Sequence, residues 1–171
     1  MKINESFVHV AMRQFLKKCE WLLIAGEYPN GSDDELNVLS ISDPSVARDN
    51  SPDPRRHSYG EIIPDLIAYK DGVVLIIEAK PNYSVDDKEK LYNLLYNERE
   101  RLIATLWKFS YGKQTFSHID YDRVDYVPVL AFGNPSYRPS YIDPGYGHIY
   151  IKSLNEAKLV FFDLPYHGDL I

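Results

Sequence analysis

The spacing of apolar residues changes several times along the chain, and each change marks an element. Val8, Ala11, Phe15, Cys19 and Leu22 or Leu23 recur at three- and four-residue steps, with Met12 and Leu16 widening the stripe. That period predicts an amphipathic helix from Phe7 to Leu23, with Asn4 placed as its N-cap. His9, Arg13, Gln14, Lys17 and Lys18 fall mostly on its other faces, and Trp21–Tyr28 turns strand-like before Pro29. Residues 29–60 read as a long connection. Asn30-Gly31, Asp43-Pro44 and Pro52-Asp53-Pro54 are turn signals, and only Leu36–Ile41 has the character of a short strand.

Two apolar runs follow, Ile62–Tyr69 and Val73–Lys80, separated by Lys70-Asp71-Gly72. Asp-Gly between such runs predicts a tight hairpin. Ser84, with Asp87 three residues on, opens a helix whose stripe of Leu91, Leu95, Leu102, Leu106 and Phe109 carries it to about Phe109. Tyr126–Phe132 is a candidate buried strand, although Pro128 is more usual at a strand edge, start or bulge. A Tyr- and Pro-rich loop leads to a closing hairpin, His148–Lys152 and Lys158–Leu164, around Ser153–Asn155. The expected fold class is α/β, one domain over 1–171, with a mixed sheet of about four to six strands flanked by helices.

Composition narrows the function. The chain has 171 residues, 44% hydrophobic and 26% charged, with a formal charge of −6. That excludes a protein that coats nucleic acid through a broad basic surface, but not a nuclease with an acidic catalytic cluster and a local basic face. The lone Cys19 excludes an intrachain disulfide and a cysteine zinc site, and reads as a small core residue. No apolar run approaches about 18 residues, so no membrane span is expected. The start, MKINESF, does not read as a secretory signal, and the expected localisation is cytoplasmic.

The hairpin permits a geometric step. With Asp71 and Gly72 as the central turn residues, Lys70 faces Val73 and, counting outward, Asp65 faces Glu78. Directly opposed Cβ atoms lie about 4.5–5.5 Å apart. Lys80, two positions beyond Glu78, shares its face. Two adjacent carboxylates amid Ile62, Ile63, Ile76 and Ile77 are expensive unless a cation intervenes. Mg²⁺, with Mn²⁺ as a substitute, suits carboxylate oxygens, and a neighbouring Lys can hold a water or stabilise charge on a phosphate. The alternative is a plain salt-bridged sheet edge. Acid-x-Lys alone is weak, since it recurs in Asp86-Asp87-Lys88 and Glu156-Ala157-Lys158. The last even has Asp143 at the matching upstream distance, but the midpoint falls inside a strand-like run, at Ile149-Tyr150, where no hairpin can turn.

Pro64-Asp65 followed at twelve residues by Glu78-Ala79-Lys80 resembles the signature of the PD-(D/E)xK nuclease superfamily, and the order helix, hairpin, helix, strand resembles its restriction-endonuclease-like core over roughly residues 5–133. The resemblance implies a DNA phosphodiesterase in which Asp65, Glu78 and the Ala79 carbonyl bind the metal. It makes Lys80 the residue that positions the attacking water. It adds a Glu from the first helix, for which Glu5 is the natural candidate and Glu20 a poorer one; Glu5 reads equally well as an acid at a helix N-terminus. Tyr92 and Tyr96 stand on the helix after Lys80, but the Gln that accompanies such a Tyr in one branch is missing. A catalytically inactive nuclease-like module, or an accessory subunit of a larger complex, is the rival reading.

The remaining candidates are peripheral. Arg55 and Arg56, with Arg48 and His57, form the best local basic cluster for DNA, with a solvated loop as the simpler reading. Lys88, with Lys90, Arg99 and Arg101, could also contact phosphates, although interleaved acids make a solvated helix face the simpler reading. The five His residues are scattered and expected in surface or loop roles. Tyr137, Tyr141 and Tyr146, with Arg138, read as a loop packed on the sheet, with base stacking as the alternative. One site per chain makes a homodimer the expected way to cut both strands of a duplex.

Overall fold

The computed structural model describes residues 3–29, 36–41, 62–136, 138, 139 and 141–166. The expected contacts at Arg48, Arg55, Arg56, His57 and Tyr137 lie outside the described residues. The described elements are α1 (Glu5–Lys18), β1 (Leu22–Gly26), β2 (Leu66–Lys70), β3 (Val73–Ala79), α2 (Val85–Tyr96), α3 (Arg99–Ser110), a short 3₁₀ turn (Gln114–Phe116), β4 (Asp125–Gly133), β5 (Gly147–Ser153) and β6 (Glu156–Phe161). The six strands form one mixed sheet in sequence order. β1, β2 and β3 are antiparallel, β3–β4–β5 run parallel, and β6 returns antiparallel to β5.

The α/β expectation holds, and α1 covers one face while α2 and α3 cover the other. Val8, Met12 and Leu16 pack with Leu75, Ile77 and Val129 on the first face. Leu91, Leu95, Leu102 and Leu106 pack with Ile67, Ile76 and Leu130 on the second. β3 is buried at every position, which explains why it reads as a continuous apolar run rather than an alternating one.

Asp71 and Gly72 have φ of 47° and 82°, both left-handed, the conformation a two-residue hairpin of this hand requires. The ladder runs from Lys70↔Val73 to Leu66↔Ile77, the expected register. Asn4 caps α1, its side chain accepting the Phe7 N–H at 2.8 Å, and Ser84 caps α2 by accepting the Asp87 N–H. Three expectations need correction. The first helix stops at Lys18, because Glu20 takes φ 67° and reverses the chain into β1. The helix expected to run on to Phe109 breaks at Asn97 and Glu98 into α2 and α3, although the leucine stripe stays buried through the break. Leu36–Ile41 is not a strand; Ile41 only bridges Ile62.

Pro128 sits inside an interior strand without harm. Asp125 N–H donates to Gly72 O and Ala131 O accepts from Lys80 N–H, so odd-numbered residues of β4 turn their polar groups to β3 and even-numbered ones turn away. The N–H that Pro128 lacks would point toward β5, whose pairing begins only at Val129↔Gly147.

Candidate metal and catalytic site

The site lies at the C-terminal end of β3, where the first turns of α1 and α2 approach from opposite faces. Ligand sites in open α/β sheets favour this position. Asp65 immediately precedes β2. Its Oδ2 accepts the Ala79 backbone N–H at 2.8 Å, and its own carbonyl accepts the Glu27 N–H at 3.0 Å. Pro64 stands opposite Ala79 in the extended register and carries no N–H. It therefore cannot occupy the Ala79 carbonyl, which faces the same way as the Ala79 amide.

Glu78 is buried, and Lys90 Nζ of α2 lies 2.8 Å from its Oε1, an ion-pair contact without hydrogen-bond angles. Burial, and then the Asp65 charge, push the Glu78 carboxyl up to about 9; Lys90 pulls the other way. Lys80 does not turn toward Glu78 but reaches α1, with Nζ 3.1 Å from Glu5 Oε1. Its pKa is raised: partial burial opposes the charge, but the Glu5 pair and then Asp87 and Asp65 outweigh it. Glu5 is thus part of the site and also the first acid of α1. Glu20 is exposed at the far end of α1.

Sequence reasoning missed His9. It is fully buried, and neither ring nitrogen has a hydrogen-bond partner. Its Nε2 is 3.8 Å from Asp65 Oδ2. Burial lowers its pKa, outweighing Asp65 and Glu5, so the ring is neutral near pH 7 and can offer a lone pair. The signal was present in the chain: His9 lies four residues after Glu5, on the same helix face. Ligand atoms of Glu5, His9 and Asp65 all fall within 4.8 Å of one another, the size of a cation site. Asp87 and Glu27 were also missed. Burial raises both carboxyls, Asp65 adds to each shift, and Lys90 opposes it.

Five carboxylates, two lysines and a neutral imidazole therefore share one corner. Burial and crowding push three of those carboxyls, Glu78, Asp87 and Glu27, toward their neutral forms, and the His9 nitrogens have no partner. Both facts fit a divalent cation held by Glu5, His9 and Asp65; the Glu78 carboxylate, expected as a ligand, pairs with Lys90 and lies outside that group.

The other candidates are placed as follows. Lys88 Nζ is 2.7 Å from Asp143 Oδ1, and Arg101 pairs with Glu98. Asp143 is buried beside His148, with Nε2 to Oδ2 2.8 Å, far in register from Glu156 at the start of β6. The expectation that the His residues occupy surface or loop positions fails for His9 and His148, both completely buried; His118 is exposed. His148 could have been noticed, since a polar residue in a strand covered on both faces must find a partner. Among the described residues, no helix is long and apolar enough to cross a membrane. Comparisons with protein-family models, with curated proteins and with solved structures find no match for this chain.

Proposed function

We propose that the chain is a Mg²⁺- or Mn²⁺-dependent nuclease that hydrolyses DNA phosphodiester bonds at the Asp65/Glu78/Lys80 corner. The observation that carries this reading is the juxtaposition of Asp65 with the end of β3. The Asp65 carboxylate binds the Ala79 amide, Glu78 is adjacent, and the buried His9 ring points at the same oxygen. The likeness of Pro64-Asp65 and Glu78-Ala79-Lys80 to the PD-(D/E)xK signature supports it.

When bound, a divalent cation supplies charge neutralisation at the phosphate and a more acidic water. Asp65, Glu5 and His9 hold that charge in place. Lys80, kept cationic and oriented by Glu5, positions the attacking water and meets negative charge developing on the phosphoryl oxygens. The water oxygen forms the new P–O bond, the P–O bond to the sugar breaks, and the water proton passes through solvent to the leaving alkoxide. Lys90 favours the ionised form of Glu78, which burial and the Asp65 charge otherwise keep protonated near pH 7.

One observation favours the rival reading of an inactive binding module. Lys80–Glu5 and Lys90–Glu78 already pair, so the corner partly neutralises itself. Cleavage of plasmid and single-stranded DNA with Mg²⁺ or Mn²⁺ decides between them. Wild type is expected to cut, and Asp65→Asn, Glu78→Gln and Lys80→Ala to lose activity. Equal cutting by the variants removes the assignment, and cation binding without cutting favours the module.

A further inference from the structure

Beside the candidate site runs a surface of tyrosines that the hydrolytic reading does not use. Tyr83 and Tyr141 stack face to face, with ring centroids 3.7 Å apart and planes within 8°. Tyr92 and Tyr96, one turn apart on α2, form a second pair at 4.4 Å. Tyr141, Tyr92 and Tyr96 remain 48%, 53% and 63% exposed. The buried Tyr146 joins the two pairs. Its hydroxyl donates to the Lys88 carbonyl of α2, and Lys88 Nζ, which also pairs with Asp143, lies 5.7 Å from its ring centroid.

The surface is built firmly. Asp143 accepts the Tyr83 hydroxyl (3.0 Å to Oδ2), pairs with Lys88, and is held from beneath by His148, whose Nδ1 lies 3.2 Å from the Tyr150 hydroxyl. This buried network ties the segment carrying Tyr141 to β5 and α2. Beyond Tyr96 the chain breaks into α3, and a cleft of about 340 Å³ opens there, lined by Tyr96, Asn97, Arg99 and Arg101 and by the acids Glu98 and Glu100, of which Glu98 pairs with Arg101. Glu98 makes no side-chain cap bond to the first amides of α3.

We propose that this surface is a track for single-stranded nucleic acid. Bases stack on Tyr141 and on the Tyr92–Tyr96 pair, while the strand passes from the candidate site toward the Arg99–Arg101 cleft. The proposal rests on the nuclease reading for its direction, and it names the substrate class of that site as single-stranded. Three arguments select this occupant. Exposed ring faces stack on any base, whereas a duplex keeps its bases inside. The track adjoins the site, since Tyr83 is three residues past Lys80 and α2 supplies both Lys90 to Glu78 and Lys88 to Asp143. From Lys88 to Tyr96 the helix rises about 12 Å, room for roughly three stacked nucleotides. With a net charge of −6, and exposed Asp86 and Glu89 on the same helix, affinity comes from stacking more than from phosphate contacts.

The test is fluorescence anisotropy with a labelled oligo(dT) of about twelve nucleotides, and with a matching duplex, in EDTA so that no cleavage occurs. Wild type is expected to bind the single strand more tightly than the duplex. Tyr92→Ala/Tyr96→Ala and Tyr141→Ala are each expected to weaken single-strand binding by about five- to a hundredfold. Tyr92→Phe/Tyr96→Phe retains it, because the ring face is kept. The salt dependence should be shallow, with a slope of only about −1 to −2, the release expected for one to three phosphates. Circular dichroism of these exposed-site variants checks that the fold is intact. No oligo(dT) binding, binding unchanged by the Ala variants, or tighter duplex binding each overturns the track. The binding measurement needs no catalysis, so loss of the nuclease reading through the Asp65, Glu78 and Lys80 variants is a separate result.

Discussion

Asp65 Oδ2 accepts the backbone N–H of Ala79 at 2.8 Å, doing at the end of the β2–β3 ladder what a strand carbonyl does further along it. The carboxylate is thereby fixed against β3 and next to Glu78. Asp65→Asn keeps an acceptor for the Ala79 amide but removes the charge. The Glu78 pKa, pushed up to about 9 first by burial and then by Asp65, should fall in this variant while staying above the ordinary carboxylate range. Carboxyl-carbon NMR titration checks it. DNA cleavage by the same variant should drop on the order of 10²-fold or more, the scale of losing one group aimed at developing charge. An unchanged Glu78 titration would mean that Asp65 and Glu78 do not share a site.

Stability should fall as pH rises. The folded Glu78 pKa of about 9 lies above its ordinary value of 4.5, so between those values the folded chain holds a proton that the unfolded chain has released. Unfolding free energy then decreases with pH across that window, the contribution being fully present below about 4.5 and gone above about 9. His9 adds the opposite slope lower down: its folded pKa is depressed below 6.5, so its contribution is present above 6.5 and lost as pH falls. Thermal melts at pH 5, 7 and 9 should show Tm declining from pH 7 to 9 in wild type and much less in Glu78→Gln. Mn²⁺ should flatten the wild-type decline, because a cation favours the ionised carboxylate.

The parts of this site that were legible in the sequence are those set by local chemistry. Asp71-Gly72 specifies a two-residue turn, the turn specifies the register, and the register brings Asp65 to Glu78 across only a few residues. Asn4 and Ser84 announced their helices for the same reason. His9 was hidden because its burial depends on α1 docking beside Asp65 at the start of β2, a contact between residues 56 apart in sequence. The partner of Lys80 was misread because alternation along a strand stops applying where the strand ends. Lys80 lies just past β3 and turns to Glu5 on the opposite face. The break at Asn97 left no trace in the apolar period, since Leu95 and Leu102 are buried on either side of it.

His9 should set the choice of cation. Imidazole nitrogen suits transition ions better than Mg²⁺, which strongly prefers oxygen and water. His9→Gln should therefore weaken Mn²⁺ binding by about tenfold or more and Mg²⁺ binding less, measured by isothermal titration calorimetry at pH 7.5. The substitution exchanges two buried ring nitrogens that lack partners for two amide polar atoms in the same place, so the metal-free protein should not lose stability in proportion. Equal losses for the two ions would place His9 outside the coordination sphere.

The hairpin turn allows the fold to be perturbed without touching the site. Gly72 has φ 82°, and a Cβ built there meets nothing within 4 Å, so Gly72→Ala brings backbone strain and no clash. A left-handed conformation costs a non-glycine residue roughly 1–2 kcal/mol. Urea unfolding should show that loss at an unchanged m-value, since the folded surface is the same. The β2–β3 ladder should persist, because slipping it by one residue would turn Ile67 and Leu66 to the wrong faces of a sheet buried on both sides. With the ladder intact, Asp65 stays opposite Glu78, and cleavage per folded molecule should match wild type. A destabilisation of this size accompanied by lost cleavage would show instead that the turn controls the site's geometry more loosely than the register implies.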